Sequence, residues 1–84
     1  MLKLLYFARL REALGTAREE IPLPQAVTDI QGLMVWLAGR GGAWQQEFSG
    51  QRPLRAAINQ ELVTSTASFK AGDEIAFFPP VTGG

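Results

Sequence analysis

Apolar residues recur along this chain with two different periods, and the period distinguishes strands from helices. Residues facing one side of a strand are two apart, whereas those on one side of a helix are three or four apart. Ile30, Leu33 and Leu37 follow the helical period, so the segment before Gly39 is predicted to be the main helix. The pattern predicts strands at residues 2–7, 18–23, 54–58, 61–64 and 74–78 and a short helix at 8–14, and leaves 43–50 ambiguous.

Capping and turn residues predict where these elements begin and end. Thr28 and Gln31 have the spacing of a capping box, which predicts Thr28 as the N-cap of the main helix. Gly15 stands where the short helix should end, and Pro22 predicts that the second strand lies at an edge of the sheet or ends there. Asn59-Gln60 predicts a hairpin turn between two strands.

A single main helix with one apolar stripe requires a sheet to cover that stripe, so the sequence predicts a two-layer α+β domain. The first and last strands are the most apolar, and we therefore place them side by side in the middle of the sheet. The main helix is predicted to cover the sheet face formed by Leu2, Leu4, Tyr6, Ile75 and Phe77.

The other face of the predicted sheet is also apolar, and the sequence offers no second long helix to cover it. Exposed apolar patches on small domains usually mark docking surfaces, so we predict that a partner binds here. In the alternative arrangement, the segment that carries Trp44 and Phe48 wraps over this face. The residues predicted to point to it are Leu5, Phe7, Ala76 and Phe78.

The last six residues predict a stiff and narrow tail, residues 79–84, on a globular domain of residues 1–78. Pro79 and Pro80 fix φ and favour extended geometry before them. Gly83 and Gly84 place no Cβ near the terminal carboxylate, so a narrow partner cleft could approach the backbone closely. We interpret the segment Pro79-Pro80-Val81-Thr82-Gly83-Gly84 as an end that inserts into a partner, with a frayed terminus as the alternative.

Composition limits the chemistry that the domain can carry. The 84 residues include 8 basic and 8 acidic side chains, no cysteine and no histidine. The balanced charge and the absence of the usual metal ligands predict no nucleic-acid partner, no metal and no bound cofactor. The remaining acid–base side chains would each need a perturbed pKa, which argues against a stand-alone enzyme. No apolar segment reaches membrane-spanning length, so we predict a soluble, cytoplasmic protein.

The C-terminal segment Asp73–Gly84, DEIAFFPPVTGG, is the most specific sequence in the chain. Together with Tyr6–Ala8, Arg11–Gly15 and Ala57–Gln60, it resembles the small subunits of molybdopterin synthase, which are ubiquitin-like β-grasp sulfur carriers. The resemblance covers essentially the whole chain. It implies a β-grasp fold in which one main helix packs on one face of a mixed five-stranded sheet.

The resemblance also implies a reaction in which this chain carries sulfur and another subunit supplies the catalytic residues. An adenylating enzyme would use ATP to activate the carboxylate of Gly84, which sulfur then converts to a thiocarboxylate. The tail would enter the large subunit of the synthase and donate sulfur to a cyclic pterin phosphate precursor in molybdenum cofactor biosynthesis. Two carrier chains would flank a dimer of large subunits, and the predicted partner-binding residues are Leu5, Phe7, Arg11, Ala76 and Phe78.

Three other functions stay open at this point. A sulfur carrier for thiamin or tRNA thiolation shares the Gly-Gly end, although the Phe77–Val81 run most resembles the molybdopterin branch. A ubiquitin-like modifier would instead join its terminus to lysines of other proteins. A β-grasp binding module would carry an inert tail.

Overall fold

The computed structural model of the protein describes residues 1–80, which form one mixed sheet and three helices. The sheet is mixed because the first and last strands pair in parallel and the other pairs are antiparallel. This confirms the predicted fold class and all five predicted strands, four of which are one or two residues shorter than expected. The elements in chain order are β1 (Leu2–Tyr6), α1 (Ala8–Leu14), β2 (Arg18–Ile21), α2 (Ile30–Ala38), α3 (Gly42–Phe48), β3 (Arg55–Ile58), β4 (Glu61–Val63) and β5 (Glu74–Phe78).

The two most apolar strands lie side by side, as predicted, in a sheet of order β2-β1-β5-β3-β4. Their parallel register sets Leu4 beside Ile75 and Tyr6 beside Phe77. Alternate residues of both strands therefore share one face, where α2 covers them and their side chains are buried. The buried side chains on this face and on α2 are Leu2, Leu4, Tyr6, Ile75, Phe77, Ile30, Leu33 and Leu37.

The N-cap of α2 is Asp29, so the prediction that Thr28 caps this helix is wrong. The Asp29 Oδ1 atom accepts a hydrogen bond of 2.8 Å from the backbone N–H of Gly32. Asp29 is held extended by an antiparallel bridge to Ser68, a contact that the local capping pattern does not contain. A Cβ at position 32 would lie 3.0 Å from this oxygen, so the glycine inside the helix leaves space for its cap.

The segment that the sequence left ambiguous forms α3, and its aromatic side chains extend the core. Phe48 is buried and packs edge-to-face on Phe77, with 5.2 Å between the ring centroids. Trp44 packs edge-to-face on Tyr6 at 5.4 Å. Since Tyr6 and Phe77 point to the α2 side of the sheet, the alternative in which this segment wraps over the opposite face is wrong.

Glu47 on α3 is the one charged residue that is buried among residues 1–80. Its side chain is 4% exposed, and its two carboxylate oxygens accept hydrogen bonds of 3.1 Å from Arg9 and from Arg52. A buried carboxylate destabilises a fold unless cations or hydrogen-bond donors surround it. These two ion pairs therefore tie α3 to α1 and to the segment that leads into β3.

A second polar cluster joins the first strand to the end of α2. The Tyr6 hydroxyl donates a hydrogen bond of 2.8 Å to Glu19, and Arg40 donates to both oxygens of the same carboxylate at 2.9 and 3.1 Å. The Arg40 guanidinium also lies over the rings of Trp36 and Trp44. Burial opposes ionisation of Glu19, but hydrogen bonds from Arg40 and Tyr6 outweigh it and hold the pKa of the carboxyl below its ordinary value.

Replacement of Phe77 by alanine is expected to lower the free energy of unfolding by about 3–5 kcal/mol, because it leaves a cavity among fully buried aromatic rings. Chemical denaturation followed by circular dichroism measures this change. Leu62→Ala, at an exposed position on β4, is the control and should change stability by less than about 0.5 kcal/mol. Similar losses in both variants would contradict the assignment of Phe77 to the core.

Glu19→Gln should destabilise the protein in a pH-dependent way. Because the folded state lowers the pKa of Glu19, its stabilising contribution is complete above the ordinary value of 4.5 and decreases as the pH falls below it. The difference in free energy of unfolding between wild type and Glu19→Gln should therefore be largest near neutral pH and smaller in acid. Denaturation curves collected across this pH range test the expectation, and a pH-independent difference would refute it.

Candidate functional site

The sheet face opposite α2 is covered by no helix formed from residues 1–80, and the strand registers define which residues share it. The middle row crosses all five strands. A second row lies at the end of β5. It contains Phe78 and its pairing partner Arg55, and also Phe7, whose backbone N–H donates a hydrogen bond to the carbonyl of Phe77. The middle row is Arg18, Leu5, Ala76, Ala57 and Leu62. We give the name open face to the surface formed by the apolar residues of the two rows, which are Leu5, Ala76, Ala57, Leu62, Phe7 and Phe78.

The open face has small residues at its centre and large ones around them. Ala57 and Ala76 are buried by their neighbours, whereas Leu5 and Phe78 are half-buried. The exposed fraction rises to 47% at Phe7 and 62% at Leu62. The accessible area of this apolar surface therefore comes mainly from its larger side chains.

The structure brings four of the five predicted partner-binding residues together on the open face. Leu5 and Ala76 are neighbours in the register of β1 and β5, and Phe7 and Phe78 follow them toward the end of the sheet. Ala76 is nearly covered, so it offers little surface of its own. The fifth residue, Arg11, lies exposed on α1, and its backbone N–H donates a hydrogen bond to the carbonyl of Phe7.

Sequence reasoning missed Ala57 and Leu62 as members of this face. A strand of three residues, which is the length of β4, is too short to reveal a face by its own alternation. The available signal was the turn Asn59-Gln60, because a two-residue hairpin loop fixes the register of the strands on both sides. Both turn residues have positive φ, as a type I′ turn requires, and the resulting register pairs Ala57 with Leu62.

The predicted tail starts directly after Phe78 of the open face, and its second proline lies toward the α2 side of the sheet. Strand β5 ends at Phe78, directly before a proline that can donate no ladder hydrogen bond. Pro79 and Pro80 are half-buried, and Pro80 lines a groove with Leu54 and Val63. The predicted tail residues Val81, Thr82, Gly83 and Gly84 lie outside the described residues, so the insertion of this tail into a partner stays a prediction.

The side chains of residues 1–80 form an exposed apolar surface and three ion pairs. Within residues 1–80, no group of three or more aspartate, glutamate, histidine or cysteine side chains is placed to hold a metal ion. No helix in this part of the chain is long and apolar enough to cross a membrane. The cytoplasmic location stays a prediction.

Comparison with known sequences places the chain among sulfur carriers. The model of the ThiS family matches residues 4–84. The chain is 38% identical to the molybdopterin synthase sulfur carrier subunit of Escherichia coli and 40% identical to that of Haemophilus influenzae. Both alignments span 84 residues and cover 100% of this chain and of each relative.

Solved structures with the same fold agree with this placement. The putative molybdopterin converting factor subunit 1 of Pyrococcus furiosus is 28% identical, with a TM-score of 0.75 over 95% of this chain and 97% of that one. The small archaeal modifier protein 1 of Haloferax volcanii is 25% identical, with a TM-score of 0.74 over the same shares.

One chain of the complex of subunits 1 and 2 of the Helicobacter pylori molybdopterin-converting factor is 20% identical to this chain and shows a likeness of fold alone. Its TM-score is 0.65, over 99% of this chain and 97% of that one.

The ubiquitin-like β-grasp fold and the predicted resemblance are both confirmed. This chain therefore belongs to the ThiS family, alongside the molybdopterin synthase sulfur carrier subunits that it matches over its full length.

Proposed function

We propose that this chain is the sulfur carrier subunit of a molybdopterin synthase. The observation that carries the proposal is its full-length identity of 38% and 40% to two subunits of that name. An activating enzyme would transfer AMP from ATP to the carboxylate of Gly84 and release pyrophosphate. Hydrosulfide would then attack the carbonyl carbon, expel AMP and lose its proton, which leaves a thiocarboxylate on the last residue.

The composition of the chain suits a terminal thiocarboxylate. Sulfur held on a cysteine would exchange with cellular thiols, and this chain has no cysteine. Gly83 and Gly84 place no Cβ near the reacting carbon, so two different enzymes could reach it. The prolines at 79 and 80 reduce the conformational entropy that the tail would lose on entering a narrow channel.

The open face is the surface that we assign to the large subunit of the synthase. Its exposed apolar residues, Phe7 and Leu62, would lose contact with water when an apolar surface of the partner packs on them, which favours association. The H. pylori chain of the same fold was solved in a complex with a second subunit. The large subunit would supply the catalytic residues and the pterin precursor, and two carrier chains would flank a dimer of large subunits.

A protein modifier is the second candidate, and the likeness to small archaeal modifier protein 1 is the observation that favours it. In that function the activated carboxyl of Gly84 would form an isopeptide bond with a lysine of another protein. Intact-mass analysis of the chain purified from its native host separates the two functions. Replacement of one terminal oxygen by sulfur supports the carrier, whereas a covalent adduct with a second protein supports the modifier.

Deletion of Gly84 is expected to abolish sulfur transfer while the domain stays folded, because the reactive carbon is lost and the core formed by residues 1–80 has Phe77 as its last member. The assay reconstitutes the chain with its activating enzyme, ATP, a sulfur donor and the large subunit, and measures product formation. The control is Lys70→Ala, beside the first residue of β5 and so at the opposite end of that strand from Phe78, which should keep full activity. Sulfur transfer by the shortened chain would refute the proposed function.

Phe78→Asp should weaken binding to the large subunit by at least about 2 kcal/mol, since it places a charge in the apolar contact. Isothermal titration calorimetry measures the affinity, and circular dichroism verifies the fold. Val35→Asp is the matched control, because Val35 is an exposed apolar residue on the opposite side of the molecule, on α2. Equal affinities for the two variants would contradict the assignment of the open face as the docking surface.

A further inference from the structure

Charged side chains are distributed unequally along the molecule, although the chain has a formal net charge of zero. Helices α1 and α3 and the segment from 49 to 55 carry four of the eight basic residues and two of the eight acidic ones. One of those two acidic residues is the buried Glu47, which already binds two arginines. We call the four basic residues the arginine rim: Arg9, Arg11, Arg52 and Arg55.

The arginine rim lies at the end of the sheet from which the tail leaves. Helix α1 directly follows β1, and β1 runs parallel to β5, so α1 starts where β5 ends. Arg55 is the first residue of β3 and pairs with Phe78, the last residue of β5. Arg52 reaches the same region, because its guanidinium and that of Arg9 bind one carboxylate.

The opposite end of the sheet is acidic. Strand β5 begins there, and its first residue Glu74 pairs with Lys3, which pairs in turn with Glu20. The carboxylate of Asp73 accepts hydrogen bonds from the Lys70 N–H and the Asn59 amide. The hydrogen bond from the Lys70 backbone, and then that from Asn59, lower the pKa of Asp73. The charged residues at this end are Lys3, Glu20, Glu61, Lys70, Asp73 and Glu74.

Two of the rim arginines are held in place by the fold. Arg9 and Arg52 each place one guanidinium nitrogen on Glu47, while 45% and 51% of their side chains stay exposed. A guanidinium carries five N–H donors, so each has donors left for a second partner. Because their side chains are already ordered, they would lose less conformational entropy when a partner binds.

The other two rim arginines extend the charge to the open face. Neither Arg11 nor Arg55 forms an ion pair with a carboxylate of residues 1–80. Arg55 lies beside Phe78 at the end of the sheet, and Arg11 lies one helical turn beyond Phe7. The rim is therefore continuous with the apolar surface that we assign to the large subunit.

We propose that the arginine rim binds carboxylate side chains of the large subunit, at the mouth of the cleft that receives the tail. This inference rests on the proposed function and adds the charge of the partner surface. Complementary charges would speed association and orient the chain so that the tail faces the cleft. Arginine suits this role because it is always charged and can bind a carboxylate through two parallel hydrogen bonds.

The test compares association rates of the full-length chain with the large subunit, measured by stopped-flow fluorescence over a range of salt concentrations. The double variant Arg11→Glu with Arg55→Glu should associate at least about tenfold more slowly than wild type at low salt. The difference should shrink toward 1 M salt, where charges are screened beyond about 3 Å. Arg9 and Arg52 are kept, because their loss would leave Glu47 buried without its cations.

The matched control is Lys3→Glu with Lys70→Glu, which makes the same change in net charge at the opposite end of the sheet. It should slow association much less than the rim variant does, because Lys3 and Lys70 lie at the opposite end of β5 from the arginine rim, although Lys3 shares its sheet face with Leu5. The neutral variant Arg11→Gln with Arg55→Gln should give an intermediate rate. It replaces the glutamate variant in the comparison if the charge reversal prevents folding.

Two results would overturn the inference, and they differ in what else they refute. If the rim and control variants slow association equally, or if the effect of the rim variant does not depend on salt, the rim proposal alone is wrong. If the wild-type chain does not bind the large subunit at any salt concentration, the proposed function fails and the rim proposal fails with it.

Discussion

The parallel pairing of β1 with β5 is the interaction on which the rest of the structure depends. It joins the first strand of the chain to the last described one, so the intervening elements together form the crossover that parallel strands need. Its register collects Leu4, Tyr6, Ile75 and Phe77 on the buried face. The same register turns Leu5 and its neighbours outward and brings the start of α1 to the end of β5.

The two polar clusters stabilise the domain without covering the open face. Glu19 accepts hydrogen bonds from Tyr6 and Arg40 at the α2 side of the sheet, and Glu47 binds Arg9 and Arg52 where α3 meets α1. Both carboxylates connect elements that are distant in the sequence. Since the aromatic residues of α3 pack on this same side, the opposite apolar surface is left accessible to a partner.

The features that the sequence predicted correctly depend on local periodicity, and those that it missed depend on distant contacts. The strand at 74–78 and the apolar stripe of α2 follow directly from their patterns. The cap at Asp29 depends on a bridge to Ser68, and the Glu47 ion pair with Arg9 spans 38 positions. Leu62 joined the open face only through the hairpin register. The tail was inferred from residue types alone.

Under the proposed function, the chain must bind an activating enzyme and a large subunit in turn and must also leave each of them. The open face is small, with alanines at its centre, so it would not hold a partner strongly by itself. Three modest contributions, from the open face, the arginine rim and the inserted tail, would act together, because the open face continues to the end of β5 where the rim lies and after which the tail begins. Two of them belong to the predicted globular domain of residues 1–78, whereas the tail alone carries the reacting carbon. Recognition could then vary between partners while the chemistry at the terminus stays the same.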